Sequence, residues 1–180
     1  PELEELLRRG GPQTVGVRWI GREGVPLTEV RPSNRGMAPY YNVLHPRVQE
    51  AILRAIGELV SRYAHHPSFA GLSLQLSGNG YAQLPDPRWG LDDATIGAFE
   101  ADERIKIPAQ GTDRYAARAD FIESRYQTQW LAWRAARLAA FYGRVEAELK
   151  AARPDARLYL AGANIFVGGE LERQLKPTLP

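Results

Sequence analysis

Side chains able to do chemistry gather where a predicted strand ends. The run LSLQLSGNGY, residues 72–81, alternates leucine with polar residues and leads to Gln75, Asn79 and Tyr81. A strand of a (β/α)8 barrel can point polar side chains inward near its carboxyl end, where the active sites of such barrels lie. We therefore expect these three residues to line a substrate-binding cleft at the carboxyl end of this strand.

Carboxylates are the other residues in the chain that could support catalysis. Hydrolysis of a glycosidic bond needs two carboxyl groups, one acid and one nucleophile or base, about 5 Å or about 6.5–9.5 Å apart. Asp86, in the loop after this strand, and Glu170, after the last predicted strand, are the candidates. Glu170 could equally begin a surface helix. Asp92 and Asp93 are more typical of helix caps.

Aromatic residues at strand ends allow two interpretations. Trp19, Tyr81 and Trp89 could stack on sugar rings, or they could close the hydrophobic core as lids. Trp130 and Trp133 have helical spacing, which favours a place in the core. We keep Trp19 and Tyr81 as candidate sugar-binding residues.

Other kinds of site have little support in the sequence. The run SGNGYAQL lacks the third glycine, the lysine and the following helix of a nucleotide-binding loop. His65 and His66 are adjacent, with His45 the one other histidine, which favours a solvated turn over a metal site. No serine lies in a G-x-S-x-G motif. We therefore expect neither a metal nor a cofactor.

Composition limits the class of protein. The 180 residues are 44% hydrophobic and 24% charged, as expected for one globular domain. The net charge of +2 comes from scattered arginines, so we expect no nucleic-acid partner, and no apolar run is long enough to cross a membrane. Without cysteine there are no disulfides. The start at Pro1 suggests a segment cut from a longer protein, which leaves localisation unknown.

The predicted elements alternate between helices and strands. Hydrophobic spacing and turn residues predict helices over residues 2–9, from Pro46 onward, after Asp92 and over about residues 116–152, and strands over residues 14–20, 72–77 and 157–164. Long loops follow the strands, which is typical of the active-site face of a barrel. The predicted fold is α/β, with parallel βα repeats forming part of a (β/α)8 TIM-type barrel in a single domain.

Two stretches resemble known barrel enzymes. Residues 40–76, YYNVLHPRVQEAILRAIGELVSRYAHHPSFAGLSLQL, resemble the family 10 glycosyl-hydrolase-like proteins of bacteria, in which a loop with N-x-x-x-P leads into a helix that ends in tyrosine, followed by a strand that begins with glycine. Residues 125–164 are similar to the related β-galactosidase-type barrels, where a tryptophan-rich helix leads to a strand ending in asparagine. The resemblance covers roughly residues 40–164.

The resemblance implies a (β/α)8 barrel that acts on or binds an oligo- or polysaccharide, with Asn164 as a residue that hydrogen-bonds substrate. In the β-galactosidase-type barrels a glutamate is the acid/base, whereas the matching position here lies in Gly78-Asn79-Gly80. Asparagine cannot donate a proton as a general acid. The implied partners are carbohydrate and the rest of the parent barrel chain, and the alternative is a noncatalytic module that binds glycan or protein.

Overall fold

The structure is a computed structural model that describes residues 2–30, 41–76, 81–108 and 111–162. These residues form helices and one two-stranded sheet. The elements, in chain order, are α1 Glu2–Arg9, α2 Leu27–Val30, α3 Pro46–Tyr63, β1 Gly71–Gln75, α4 Asp93–Glu103, α5 Arg114–Phe121, α6 Gln127–Ala152 and β2 Arg157–Ala161. A 3-10 turn spans Pro12–Thr14, and a π-helical turn, Ile122–Tyr126, joins α5 to α6.

Helix α3 begins where the sequence predicts. Pro46 occupies the first turn, where its missing N–H costs no hydrogen bond. The His45 Nδ1 atom caps the helix by accepting the backbone N–H of Arg47 at 3.2 Å. Val48, Ile56 and Val60 are buried and form the apolar side of α3. The predicted helix and its predicted start are therefore confirmed.

Helices cover the sheet on one side. β1 and β2 are parallel, with Gly71 opposite Arg157 and Gln75 opposite Ala161. Leu72 and Leu74 of β1 and Leu158 of β2 pack on a core cluster to which α3 and α6 contribute. Ser73 and Gln75 alternate with these leucines along β1 and are exposed. The sheet therefore has one covered face and one face toward solvent.

The predicted barrel segment is wrong. In the part of the chain that the structure describes, one parallel strand pair is connected through α4, α5 and α6, and βα units do not repeat. The alternation of leucine with polar residues in β1 suggests a strand that faces a polar barrel lumen. It arises instead because helices cover only one face of the sheet.

The first predicted strand, residues 14–20, also does not form. The segment contains the end of a 3-10 turn and two isolated bridges, one from Arg18 to Tyr41 and one from Ile20 to Pro26. Gly16 has φ +82°, which breaks the extended backbone. A Cβ atom at Gly16 would lie 2.6 Å from Oδ1 of Asp92, so close packing here requires glycine.

An aromatic cluster joins α4 to α6. The Phe99 ring meets Trp130 edge-on at 5.0 Å between centroids, and Trp130 stacks on Trp133 at 5.3 Å. The Trp133 Nε1–H donates to Asp102 at 2.7 Å. Trp130 and Trp133 are 1% and 6% exposed, which confirms their predicted place in the core.

Candidate functional site

The structure separates the predicted site residues. Gln75 and Tyr81 line one groove, Asp86 lines a different pocket, and Trp19 lies in the core with 1% exposure. Trp19 therefore presents no ring face to a ligand. The remaining predicted site residues lie outside the described residues; they are Asn79, Asn164 and Glu170.

The first region, which we call the β1 groove, is a cavity of about 670 Å³ between α1, α3 and the end of β1. Aliphatic side chains of α3 form one wall, and Leu74, Gln75 and Tyr81 contribute to the other. The charged residues in the lining are Glu2, Arg54 and Glu58. The groove thus combines an apolar surface with groups that can form hydrogen bonds.

Tyr81 is held as a platform beside this groove. Its ring stacks on Tyr41, with centroids 5.7 Å apart and planes 22° from parallel. Tyr41 is 9% exposed, and its hydroxyl donates to the carboxylate of Glu4. Tyr81 is 39% exposed. Because Tyr41 covers one side of it, the remaining exposure gives Tyr81 a ring surface that a ligand can reach in a fixed orientation.

Both phenols stay neutral at physiological pH. Burial, followed by the hydrogen bond to Glu4, raises the pKa of Tyr41 above its ordinary value. Burial, followed by the nearby charge of Glu4, also raises the pKa of Tyr81. The Tyr81 hydroxyl therefore retains its proton and can donate as well as accept a hydrogen bond.

The backbone next to Tyr81 is fixed from α6. The hydroxyl of Tyr142 donates to the carbonyl oxygen of Ala82 at 2.5 Å, and Ala82 is 7% exposed. Burial raises the pKa of Tyr142 to about 12, so this donor keeps its proton. The groove wall therefore does not depend on the stacked tyrosines alone.

The charged side chains that line the groove already form ion pairs, either with each other or with a neighbouring residue. The Arg54 guanidinium donates to Glu2 at 2.5 Å, and the Arg62 guanidinium donates to Glu58 at 2.5 Å. All four side chains are more than half exposed, so water screens these pairs. A ligand with hydroxyl groups could exchange with this water without breaking a buried pair.

The second region, which we call the loop pocket, encloses about 280 Å³ between the loop of residues 85–91 and the π-helical turn. Asp86, Arg88, Arg22 and Glu123 line its polar part. The apolar part is formed by buried side chains, including Trp130. Two carboxylates therefore share a pocket, although the sequence suggested only the first of them.

Both oxygens of the Asp86 carboxylate accept hydrogen bonds from Arg88. The Arg88 Nε and Nη2 atoms donate to its two oxygens at 2.8 and 3.0 Å, and the Arg88 backbone N–H donates at 2.9 Å. The pKa of Asp86 lies below its ordinary value, mainly because the Arg88 side chain donates hydrogen bonds to its carboxylate. Asp86 is ionised at neutral pH and cannot serve there as a proton donor.

Two side chains of α6 hold the loop that carries Asp86. Arg134, 2% exposed, donates from Nη2 to the Pro85 carbonyl at 2.8 Å, and Trp130 donates from Nε1 to the Pro87 carbonyl at 2.8 Å. The Arg134 guanidinium lies 5.6 Å from the Trp19 ring centroid. Burial lowers the pKa of Arg134 to about 10, which leaves it a cation at neutral pH.

Asp92 caps a helix as predicted, whereas Asp93 is the first residue of that helix and does not cap it. Asp92 Oδ1 accepts the backbone N–H of Thr95 at 2.8 Å and caps α4. Asp93 forms ion pairs with Arg114 at 3.1 Å and with Arg118 at 2.7 Å. Burial raises the pKa of Asp92 despite the bonds to Thr95.

The sequence did not single out several residues of these two regions. Tyr41 follows another tyrosine in a loop, and only the folded chain brings it against Tyr81. Glu123 lies on the π-helical turn, inside what the sequence presents as one long helix. A π-helical turn is frequent at functional sites, but side-chain spacing alone does not reveal it. Long-range contacts of this kind have no local signal.

Two kinds of feature are missing from the described part of the chain. Over residues 2–30, 41–76, 81–108 and 111–162, no three histidine, aspartate or glutamate side chains gather as a metal would require. Within those same ranges, no helix is both long and apolar enough to cross a membrane.

Comparison with known proteins returned no match among family models, curated proteins or solved structures. The candidate sites therefore stand on their own geometry. Between the two regions, the β1 groove has an accessible aromatic ring and exposed polar groups, while the carboxylate of the loop pocket is bound by Arg88. The groove is the better candidate for binding.

Proposed function

We propose that this chain binds an oligo- or polysaccharide along the β1 groove. The observation that carries the proposal is the ring of Tyr81, which is stacked on Tyr41 and still 39% exposed. Sugar rings have apolar C–H faces and hydroxyl edges, so an aromatic ring beside amides and charged groups suits them. Gln75 and Arg54 line the groove and supply such hydrogen-bonding groups.

Preorganisation supports this site. A side chain that is already ordered loses less conformational entropy when a ligand binds. Tyr81 is stacked on Tyr41, whose hydroxyl is held by Glu4, and the Ala82 carbonyl is fixed by Tyr142. The sequence resemblance to family 10 glycosyl-hydrolase-like proteins favours the same class of ligand, although the barrel it implied is not present.

We propose binding without hydrolysis at Asp86. An acid catalyst for glycoside cleavage needs a raised pKa, whereas Arg88 lowers that of Asp86. Glu2 and Glu58 in the groove are exposed and paired with arginines. Glu170 remains a predicted catalytic residue, outside the described residues.

A protein segment is the second candidate ligand of the groove. The wall from α3 is aliphatic, and Leu59 within it is 46% exposed. An apolar peptide would bury this wall, whereas a sugar would leave most of it in contact with water. The role of Tyr81 distinguishes the two, because a peptide anchored on Leu59 would depend more on that leucine.

Affinity electrophoresis in gels containing a panel of soluble polysaccharides tests the proposal. We expect at least one polysaccharide to slow the wild-type protein, and Tyr81→Ala to restore free mobility. Tyr63→Ala is the matched control, since Tyr63 is 55% exposed at the far end of α3 and does not line the groove. Unchanged mobility of the wild-type protein across the whole panel would reject glycan binding. Retardation lost with Leu59→Ala but kept with Tyr81→Ala would place the glycan on the aliphatic wall of α3 and reject Tyr81 as its binding surface.

Hydrolysis is measured in the same samples by release of reducing ends. Asp86→Asn should leave any turnover unchanged, because Asp86 is not the proton donor and both of its oxygens are bound by Arg88, so neither is free to act as nucleophile or base. Turnover that disappears in Asp86→Asn while polysaccharide retardation persists would make the loop pocket catalytic and contradict the noncatalytic part of the proposal.

A further inference from the structure

The charged side chains of the β1 groove leave an excess of negative charge in its lining. Among the described residues that line the groove, two carry carboxylates, Glu2 and Glu58, and one carries a cation, Arg54. Their side chains are 67%, 62% and 56% exposed, so a ligand in the groove can reach all three. Arg54 lies one helical turn before Glu58 on α3 and donates to Glu2 at 2.5 Å, which places the three charges side by side. One carboxylate therefore exceeds the positive charge of the lining.

A third carboxylate acts on the aromatic platform of the groove. Glu4 accepts the hydroxyl proton of Tyr41, on which the Tyr81 ring is stacked. Burial and then the charge of Glu4 raise the pKa of Tyr81, so the Glu4 carboxylate is close enough to influence the Tyr81 hydroxyl. Arg18, whose backbone pairs with that of Tyr41, has its side chain in the lining of a different cavity. The platform and the α3 wall of the groove therefore have a potential of the same sign.

The cation that pairs with Glu58 lies outside the lining. Arg62 follows Glu58 by one helical turn and donates to it at 2.5 Å, but it does not line the groove. Both side chains are more than half exposed, so water screens the pair and the carboxylate remains accessible from the groove. The whole chain, in contrast, has a net charge of +2. A preference for cationic ligands would therefore be a property of the groove, opposite to the attraction that the overall charge exerts.

We propose that the β1 groove selects glycans by charge, and binds polysaccharides with free amino groups more tightly than neutral ones and neutral ones more tightly than acidic ones. This inference rests on the proposed glycan binding and adds the class of glycan. An ammonium group can donate to Glu2 or Glu58, and it can also lie over the Tyr81 ring, whose face attracts cations. A carboxylate would be repelled by the same two glutamates, and Arg54 could bind it only by releasing Glu2.

Biolayer interferometry with three immobilised polymers tests the charge preference. Glycol chitosan, hydroxyethyl cellulose and carboxymethyl cellulose share a β-1,4-linked backbone and carry amino, uncharged and carboxylate groups, respectively. At about pH 6 the glutamates are ionised. In about 0.01 M salt we expect the wild-type protein to bind glycol chitosan about fivefold more tightly than hydroxyethyl cellulose, and carboxymethyl cellulose more weakly than either. In about 1 M salt, where the Debye length is about 3 Å, the preference should nearly vanish.

Two variants with effects of opposite sign locate the preference in the groove. Glu58→Gln removes an accessible carboxylate and should reduce the preference for glycol chitosan about threefold, whereas Arg54→Gln removes the cation of the lining and should increase it. Glu146→Gln is the matched control, because Glu146 forms the same i,i+4 pair with Lys150 on α6, is 45% exposed and does not line the groove. It changes the overall charge as much as Glu58→Gln does. Equal losses in both glutamate variants would assign the preference to the whole surface and reject the groove.

The outcomes distinguish the charge preference from glycan binding itself. Equal affinity for the three polymers, tightest binding of carboxymethyl cellulose, or no binding of glycol chitosan would overturn the charge preference. If a neutral polysaccharide is still retained in any of these cases, the groove stands as a glycan site without selection by charge. If neither glycol chitosan nor any polysaccharide of the electrophoresis panel is retained, both proposals are rejected.

Discussion

The β1 groove and the loop pocket differ in how far the side chains proposed to meet a ligand are already bound by their neighbours. In the loop pocket, Asp86 accepts three hydrogen bonds from Arg88, and the loop carbonyls accept bonds from buried side chains of α6. In the groove, Tyr81 keeps an accessible ring and Gln75 is exposed. A charged residue in a cavity is therefore not by itself a reactive one. What its atoms already bind decides whether a ligand can use it.

The two regions also differ in whether a group that is held rigidly remains available to a ligand. Arg134 and Trp130 hold the loop rigid by donating hydrogen bonds to its carbonyl oxygens, which leaves those oxygens less available to a ligand. Tyr41 makes Tyr81 rigid by stacking on one side of its ring. Stacking leaves the other side and the hydroxyl available, which is the better arrangement for binding a ligand.

The largest expected effect comes from Arg134, the buried cation that holds the loop carrying Asp86. Arg134→Ala leaves the Pro85 carbonyl unpaired and opens a cavity beside Trp19 and Trp130. We expect a loss of about 3 kcal/mol in the free energy of unfolding, measured by urea titration. Arg137→Ala is the control on the same helix, because its pair with Asp102 is exposed and should contribute less than about 1 kcal/mol. Equal losses in both variants would show that the loop is not held as described.

The next effect concerns the groove. Tyr81→Ala removes the stacking surface, and we expect glycan affinity to fall about tenfold, which corresponds to about 1.4 kcal/mol. The free energy of unfolding should change less than in Arg134→Ala, since Tyr81 is partly exposed. Calorimetric titration with the retained polysaccharide gives the affinity. A tenfold loss in Tyr63→Ala as well would mean that exposed tyrosines bind without a defined groove.

A third test uses the raised pKa of Asp92. A folded-state pKa above the unfolded value of 3.8 gives stability that is present below pH 3.8 and lost as pH rises through the folded-state pKa. Asp92→Asn removes this titration and keeps the cap, so its stability relative to wild type should rise from about pH 4 to about pH 7. Asp92→Ala removes the same titration and also loses the cap, so it should be about 1 kcal/mol less stable than Asp92→Asn at either pH. Thermal melts of the three proteins at both pH values give the comparison, and a pH-independent difference between the Asp92→Asn variant and wild type would contradict the raised pKa.

The smallest effect is expected for Asp86→Asn. Asp86 is exposed and its pair with Arg88 is screened by water, so the change at neutral pH should stay below about 1 kcal/mol. Because the folded-state pKa is lowered, this contribution is present above the unfolded pKa of 3.8 and disappears as pH falls through the folded-state value. Glycan affinity should be unchanged. A large loss of affinity would move the ligand into the loop pocket.

Local signals in the sequence predicted most of the helices and the strand β1. Pro46 and the apolar spacing of α3, the Asp92 cap and the alternating leucines of β1 each specify structure through neighbours in the chain. Such local signals could not show whether the strands belong to a barrel. Alternation shows that one face of a strand is apolar, but only tertiary packing decides whether the polar face meets a barrel interior or water.

The candidate site was predictable only for residues that lie next to β1 in the chain. Gln75 and Tyr81 were predicted as binding residues because they lie at the end of β1 and just beyond it, and in the structure both line one groove. Their partner Tyr41 comes from a loop far away in sequence, and Trp19 is buried because its segment bends at Gly16 instead of forming a strand. Such contacts depend on the whole fold.

The most direct test of glycan binding in the β1 groove is a backbone amide NMR titration with the polysaccharide fragment that retards the protein most strongly. We expect the largest chemical-shift changes at Gln75, Tyr81 and Ala55, which line the groove, and little change at Arg88 and Glu123. The largest changes at Arg88 and Glu123, with Gln75 and Tyr81 unaffected, would contradict the proposed site and place the ligand in the loop pocket.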